Sequence, residues 1–99
     1  MEAVKYLMGA YFHQDWDIDG GLVSDTVSAF LRERRELVMA TVDQIGALLE
    51  VDLPEGGLDA QLEEWGCQYY AGETDDAYRA WLKDIRDQMR SFLSTSAAS

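Results

Sequence analysis

Thr74-Asp75-Asp76-Ala77-Tyr78-Arg79-Ala80-Trp81-Leu82-Lys83-Asp84-Ile85-Arg86-Asp87-Gln88-Met89-Arg90-Ser91-Phe92 is the stretch that decides the fold class. Tyr78, Trp81, Leu82, Ile85, Met89 and Phe92 recur at helical spacing, which stacks them on one side of an α-helix and leaves the charged residues on the other. Thr74 offers a hydroxyl as N-cap, and Asp75 and Asp76 complement the positive end of the helix dipole. A helix so apolar on one face needs neighbours to cover it, so the rest of the chain must supply them.

Working back toward the N-terminus, the same spacing recurs. Glu2 to Phe12 places Val4, Leu7, Met8 and Tyr11 on one face. A polar turn, Asp15 to Gly21, separates it from a second helix that starts at Leu22 or Ser24 and runs to Arg32, with Val23, Val27, Phe30 and Leu31 facing in. Ser24 and Asp25 suit its first turn. Arg35 to Val51 forms the longest of these, carrying Val38, Val42, Ile45 and Leu49. Arg32, Glu33, Arg34 and Arg35 suit an exposed break before it, although the pattern alone leaves the two helices separable or continuous. Asp52-Leu53-Pro54-Glu55-Gly56-Gly57 is a stop. Leu58 to Trp65 is a short helix with Leu58, Leu62 and Trp65 in one stripe, and Gly66 stands where a left-handed C-terminal residue is expected. Cys67 to Glu73 reads as an ordered aromatic loop or a short strand. The expectation is an all-α fold, a compact single-domain bundle of four to five helices over residues 1–93, with 94–99 as a flexible tail.

Composition agrees. Ninety-nine residues with 47% hydrophobic and 11% aromatic content can bury one core and no second one. The opening MEAVKYLMGAYF has no basic segment followed by an uninterrupted apolar run, so no signal peptide is expected. No stretch approaches the roughly 20 apolar residues of a spanning helix. A lone cysteine, Cys67, excludes an internal disulfide, fits a reducing cytoplasm, and reads as a small core hydrophobe.

Charge is segregated. Glu36, Asp43, Glu50, Asp52, Glu55, Asp59, Glu63, Glu64, Glu73, Asp75 and Asp76 lie between Glu36 and Tyr78, a stretch without Lys or Arg. The remainder holds eight acids and eight bases, so the whole net charge of −11 falls in that stretch. Such a field attracts a basic partner and repels nucleic acid and anionic membrane. The candidate contact residues are Glu55, Asp59, Glu63, Glu64, Glu73, Asp75 and Asp76, with Tyr70 as an aromatic anchor.

Sites for chemistry are weak. Asp15-Trp16-Asp17-Ile18-Asp19-Gly20 opens like a calcium-binding EF-hand loop, but counting from Asp15 puts Val23 at position nine and Thr26 at position twelve, where a bidentate Glu is needed. A solvated acidic turn is the better reading. His13 is the only histidine, flanked by aromatic residues and with no second His to share a metal. No phosphate loop or nucleophile elbow is present. The chain reads as a non-enzyme with no cofactor and no metal.

The string Tyr11-Phe12-His13-Gln14-Asp15-Trp16 is rich in rare residues and resembles the YFHQDW signature of the CdiI family of immunity proteins from bacterial contact-dependent growth inhibition. Gly66-Cys67-Gln68-Tyr69 and Tyr78-Arg79-Ala80-Trp81-Leu82 resemble later segments of that family, though Tyr70 and Ala71 stand where its members tend to carry a proline after the tyrosine. The resemblance implies a cytoplasmic bacterial protein that neutralises the C-terminal toxin domain of a cognate CdiA protein, frequently a nuclease. It also implies that Tyr11, Phe12, His13, Gln14, Asp15, Trp16, Gly66, Cys67, Tyr69 and Trp81 maintain the fold while the acidic region meets the toxin. A small acidic adaptor for another basic protein is the alternative reading, and the sequence leaves the oligomeric state open.

Overall fold

In the computed structural model the described residues are 1–13 and 22–97, the last two as backbone only. Among these residues five helices follow one another: α1 (Glu2–Tyr11), α2 (Val23–Phe30), α3 (Arg35–Glu50), α4 (Gly57–Glu64) and α5 (Asp75–Ala97). Among the described residues no strand forms, and residues 67–73 are a loop. The fold is an all-α single domain. Helix α5 packs against α2, α3 and α4, while α1 packs against α2 and α3. Val4, Leu7, Phe12, Phe30, Ile45, Leu62, Leu82 and Met89 fill the centre and are inaccessible to solvent or nearly so.

The stripe on α5 has the expected composition as far as Met89: Tyr78, Trp81, Leu82, Ile85 and Met89 are buried. It then departs from expectation. Phe92 is 42% exposed, and Leu93 packs against the core instead. From Met89 the inward track continues by four residues, not three, which turns Phe92 outward. No Gly or Pro interrupts residues 90–97, and the helix runs on to Ala97.

On α3 the buried residues are Val38, Thr41, Ile45 and Leu48, with Val42 and Leu49 only partly covered. Thr41 can be buried because its hydroxyl donates to the Leu37 carbonyl at 2.7 Å, leaving no polar atom stranded. Helices α2 and α3 are separate, divided by a turn in which Glu33 N–H donates to Phe30 O at 2.9 Å. Leu22 occupies the N-cap position of α2, and Ser24 and Asp25 lie in its first turn, as expected.

None of α1 to α4 is capped by the side chain of its own N-cap residue. Two receive caps from elsewhere in the fold. Gln44 of α3 accepts from Ala3 N–H and Val4 N–H of α1 at 2.9 and 3.2 Å. Asp75 does the same for α4. These contacts satisfy donors that a helix start leaves without partners and lock the helices to one another.

Candidate functional site

The short helix α4 carries the densest acid content, and its placement begins with Asp75. That side chain is only 1% exposed. Its Oδ2 accepts from Gly56 N–H at 3.0 Å and Leu58 N–H at 3.2 Å, and its Oδ1 from Asp59 N–H at 3.3 Å. In return Asp75 N–H donates to Glu55 Oε1 at 3.2 Å. Carboxylates are favourable at helix N-termini, and here each helix start holds a carboxylate from beside the other. Asp75 therefore corrects the sequence reading: it is a buried cap and cannot be a contact residue. Thr74 does cap α5, with Ala77 N–H donating to its Oγ1 at 3.4 Å.

The other candidates are on the surface. Glu55, Asp59, Glu63, Glu64, Glu73 and Asp76 are exposed, and Tyr70 is exposed by 65%. Asp76 is paired with Arg79 at 2.8 Å in a solvated contact of small energetic weight. Asp59 and Glu63 have no Lys or Arg partner among the described residues. They stand four residues apart on α4, a like-charge arrangement that costs an isolated helix about 0.2–0.5 kcal/mol. Glu63 and Glu64 also lie in the last turn of α4, which holds no basic residue. The helix dipole is negative there, so carboxylates are unfavourable.

Three of the candidates, Asp59, Glu63 and Tyr70, share one open cleft of about 250 Å³. Its remaining walls are Tyr78 from α5 and Cys67, Gln68 and Tyr69 from the loop after α4. Glu55, Glu64, Glu73 and Asp76 lie outside it. Burial, and then the Asp59 carboxylate, pushes the Cys67 thiol up to about 11, so it stays protonated and is no nucleophile. Burial also raises the Tyr78 phenol, and Asp59 adds to that shift. The sequence reading placed Tyr78 in the core and Tyr69 in a motif. What it missed was that the loop folds back so that both border the acids of α4.

Residues from the segments expected to maintain the fold cluster beside this region. Gly66 has φ +98, and a Cβ there would stand 3.2 Å from Gly9 Cα, so the C-terminal turn of α4 touches α1 backbone to backbone. Gln68 N–H donates to Phe12 O at 2.7 Å. Tyr69 stacks on Trp81 at 4.7 Å, and Phe12 meets the edge of Trp81 at 5.0 Å. Such ring pairs add about 0.5–1.5 kcal/mol beyond the area they bury. Tyr11 ties elsewhere: its hydroxyl and that of Tyr6 donate to Glu33 Oε2 at 2.6 and 2.8 Å. Phe12, Cys67 and Trp81 are buried, and His13 is partly covered. Gln14, Asp15 and Trp16, with the calcium-like turn Asp15 to Gly20, lie outside the described residues.

Among the described residues no group of three His, Cys, Asp or Glu side chains is placed to hold a metal ion. Nor is any helix among them long and apolar enough to cross a membrane. Compared with known protein families, residues 1–89 match the CdiI immunity protein family. No curated protein and no solved structure matches the chain.

Proposed function

Because the chain belongs to the CdiI immunity protein family, and so is an immunity protein against a contact-dependent growth inhibition toxin, we propose that it binds the C-terminal toxin domain of its cognate CdiA protein through the acidic surface of α4 and the following loop. The toxin in this reading is a nuclease working in the bacterial cytoplasm. The acidic surface occupies the basic cleft in which the toxin would hold RNA or DNA. The observation that carries the reading is the set of exposed carboxylates on α4, Asp59, Glu63 and Glu64, inside a stretch from Glu36 to Tyr78 without one Lys or Arg.

Inhibition by this route needs no catalytic group, and the family is not one of enzymes. Opposite fields steer the two proteins together and raise the association rate by roughly 10–1,000-fold over a neutral pair. Short-range contacts then set how long the complex lasts, with Tyr70 as the exposed aromatic anchor. Exclusion of the nucleic acid follows from like charge as well as from bulk, since the docked carboxylates repel phosphate.

The test is co-expression with the toxin domain encoded immediately upstream, followed by binding kinetics. Wild-type chain restores growth, and association slows steeply as salt shortens the screening length from ~10 Å at 0.1 M to ~3 Å at 1 M. The triple reversal Glu63→Lys, Glu64→Lys, Asp76→Lys keeps the helical signal and loses most of the association rate. Binding that ignores both salt and the reversals would show that the toxin is held by some other face.

A further inference from the structure

The cleft beside α4 combines three features that select one kind of visitor. It has charge: Asp59 and Glu63 repel each other across one helical turn, and no Lys or Arg among the described residues relieves them. It has an aromatic border of Tyr69, Tyr70 and Tyr78, of which the Tyr70 side chain is the exposed one, at 65%. It has room, about 250 Å³, well above the ~30 Å³ that one water occupies in the liquid. A bare metal ion would need several ligands converging on a point, and the described residues offer no such group. The visitor is therefore a polyatomic cation.

Between the two cationic side chains the exposed Tyr70 ring discriminates. A guanidinium is planar, weakly hydrated and carries five donors, so it can lie on a tyrosine face and still donate to carboxylates on either side. An ammonium is a compact, strongly hydrated charge that makes little use of a flat wall. The field of Asp59 extends to the cleft walls, where it adds to what burial does to Cys67 and Tyr78.

We infer that this cleft receives one arginine side chain of the toxin, its guanidinium donating to Asp59 and Glu63 and lying against the ring of Tyr70. The inference rests on the acidic docking surface proposed above and adds the identity of the group that enters it. It divides the acids by role. Glu55, Glu64, Glu73 and Asp76 lie outside the cleft and steer the approach, whereas Asp59 and Glu63 hold the arriving side chain.

The experiment is a double-mutant cycle on binding kinetics with the cognate toxin domain. Glu63→Gln and Tyr70→Ala are the main variants, both at exposed positions, and Glu50→Gln is the control outside the cleft. Melting curves matching wild type establish that each variant folds. Glu63→Gln is expected to speed dissociation about tenfold or more, since loss of a charge-assisted contact acts on the off-rate; Glu50→Gln leaves it unchanged. Each toxin arginine and lysine is then replaced by alanine, and one of the arginines should weaken binding strongly against wild type and little against Glu63→Gln. Wild-type dissociation in both cleft variants, additivity with every arginine, or coupling to a lysine would overturn the inference. The two readings separate cleanly. If the triple lysine reversal slows association while Glu63→Gln dissociates normally, the arginine slot is refuted and the docking surface stands. If neither changes binding, both are refuted.

Discussion

Of the eleven acids in the acidic stretch, Asp75 should be the most damaging to replace by alanine, although the change removes a negative charge from a chain that carries eleven in excess. Three donors lose their acceptor. Leu58 N–H is buried, and stranding it costs about 1–3 kcal/mol. Gly56 N–H and Asp59 N–H are partly accessible, so water takes over and only the net value of each bond, about 0.5–1.5 kcal/mol, is lost. Partial compensation among the three leaves about 3 kcal/mol, a large share of the roughly 5–15 kcal/mol that holds such a domain together. For a chain of this size that lowers the melting temperature by about 12–24 °C. Urea and thermal unfolding followed by helical circular dichroism read this directly. Asp75→Asn should fall between the two, because its amide oxygen still serves Gly56 and Leu58 while its NH₂ faces the Asp59 donor. If Asp75→Ala melts within about 2 °C of wild type, α4 is held by its apolar face alone and Asp75 does not secure its first turn.

Gly66→Ala should destabilise by about 1–2 kcal/mol or more, from the left-handed φ and the 3.2 Å approach to Gly9, whereas Gly46→Ala, with open space at its Cβ inside α3, should stabilise by about 0.5–1 kcal/mol in the same urea titration. Stability should also fall at both pH extremes for reasons traceable to one cluster. Hydrogen bonds from Tyr11 and Tyr6 hold the Glu33 carboxyl below its usual range, so its contribution is complete above the ordinary carboxylate pKa and fades as pH drops through the lowered value. Burial, and then Glu33, pushes the Tyr11 phenol above its usual range, so its contribution is complete below the ordinary phenol pKa and fades as pH climbs through the raised one. Urea midpoints of Glu33→Gln should lose much of the acid-side slope, and those of Tyr11→Phe much of the alkaline-side slope.

What could be read in the chain was whatever depends on near neighbours. The α5 stripe through Met89, the Thr74 cap and the left-handed Gly66 all follow from spacing or from one residue's conformational range. The stop between α3 and α4 follows from Pro54 and Gly56. What escaped were partnerships across long stretches of chain. Asp75 looks like any first-turn acid, and only the folded chain brings Gly56, Leu58 and Asp59 to it. Gln44 gives no local sign that it caps α1. The burial of Thr41 in place of Val42 depends on α3 being covered by α1 and α5 together, which no period in α3 alone encodes. For the same reason the sequence could name acids by stretch but not sort those that border the cleft from those outside it.

Helix α4 is built unfavourably by local rules. Eight residues are too few for a helix to persist alone, and this one places two glutamates at its negative end with no basic residue to offset them. It persists because Leu58 and Leu62 anchor one face in the core while Asp75 holds its first turn. Gly66 seats its far end on α1. A helix clamped at both ends presents its carboxylates already in position, so a binding partner need not spend much interaction energy ordering them. A cation docked between Asp59 and Glu63 would relieve their like-charge repulsion. A free chain is accordingly expected to gain stability when the charges at Glu63 and Glu64 are neutralised by glutamine, by a few tenths of a kcal/mol each, while its hold on the toxin weakens. Urea titration of the free double variant, paired with its binding kinetics, decides between two roles for these acids: a chain that loses stability and binding together would show that those carboxylates serve the fold, whereas opposite changes are what a surface shaped for a partner requires.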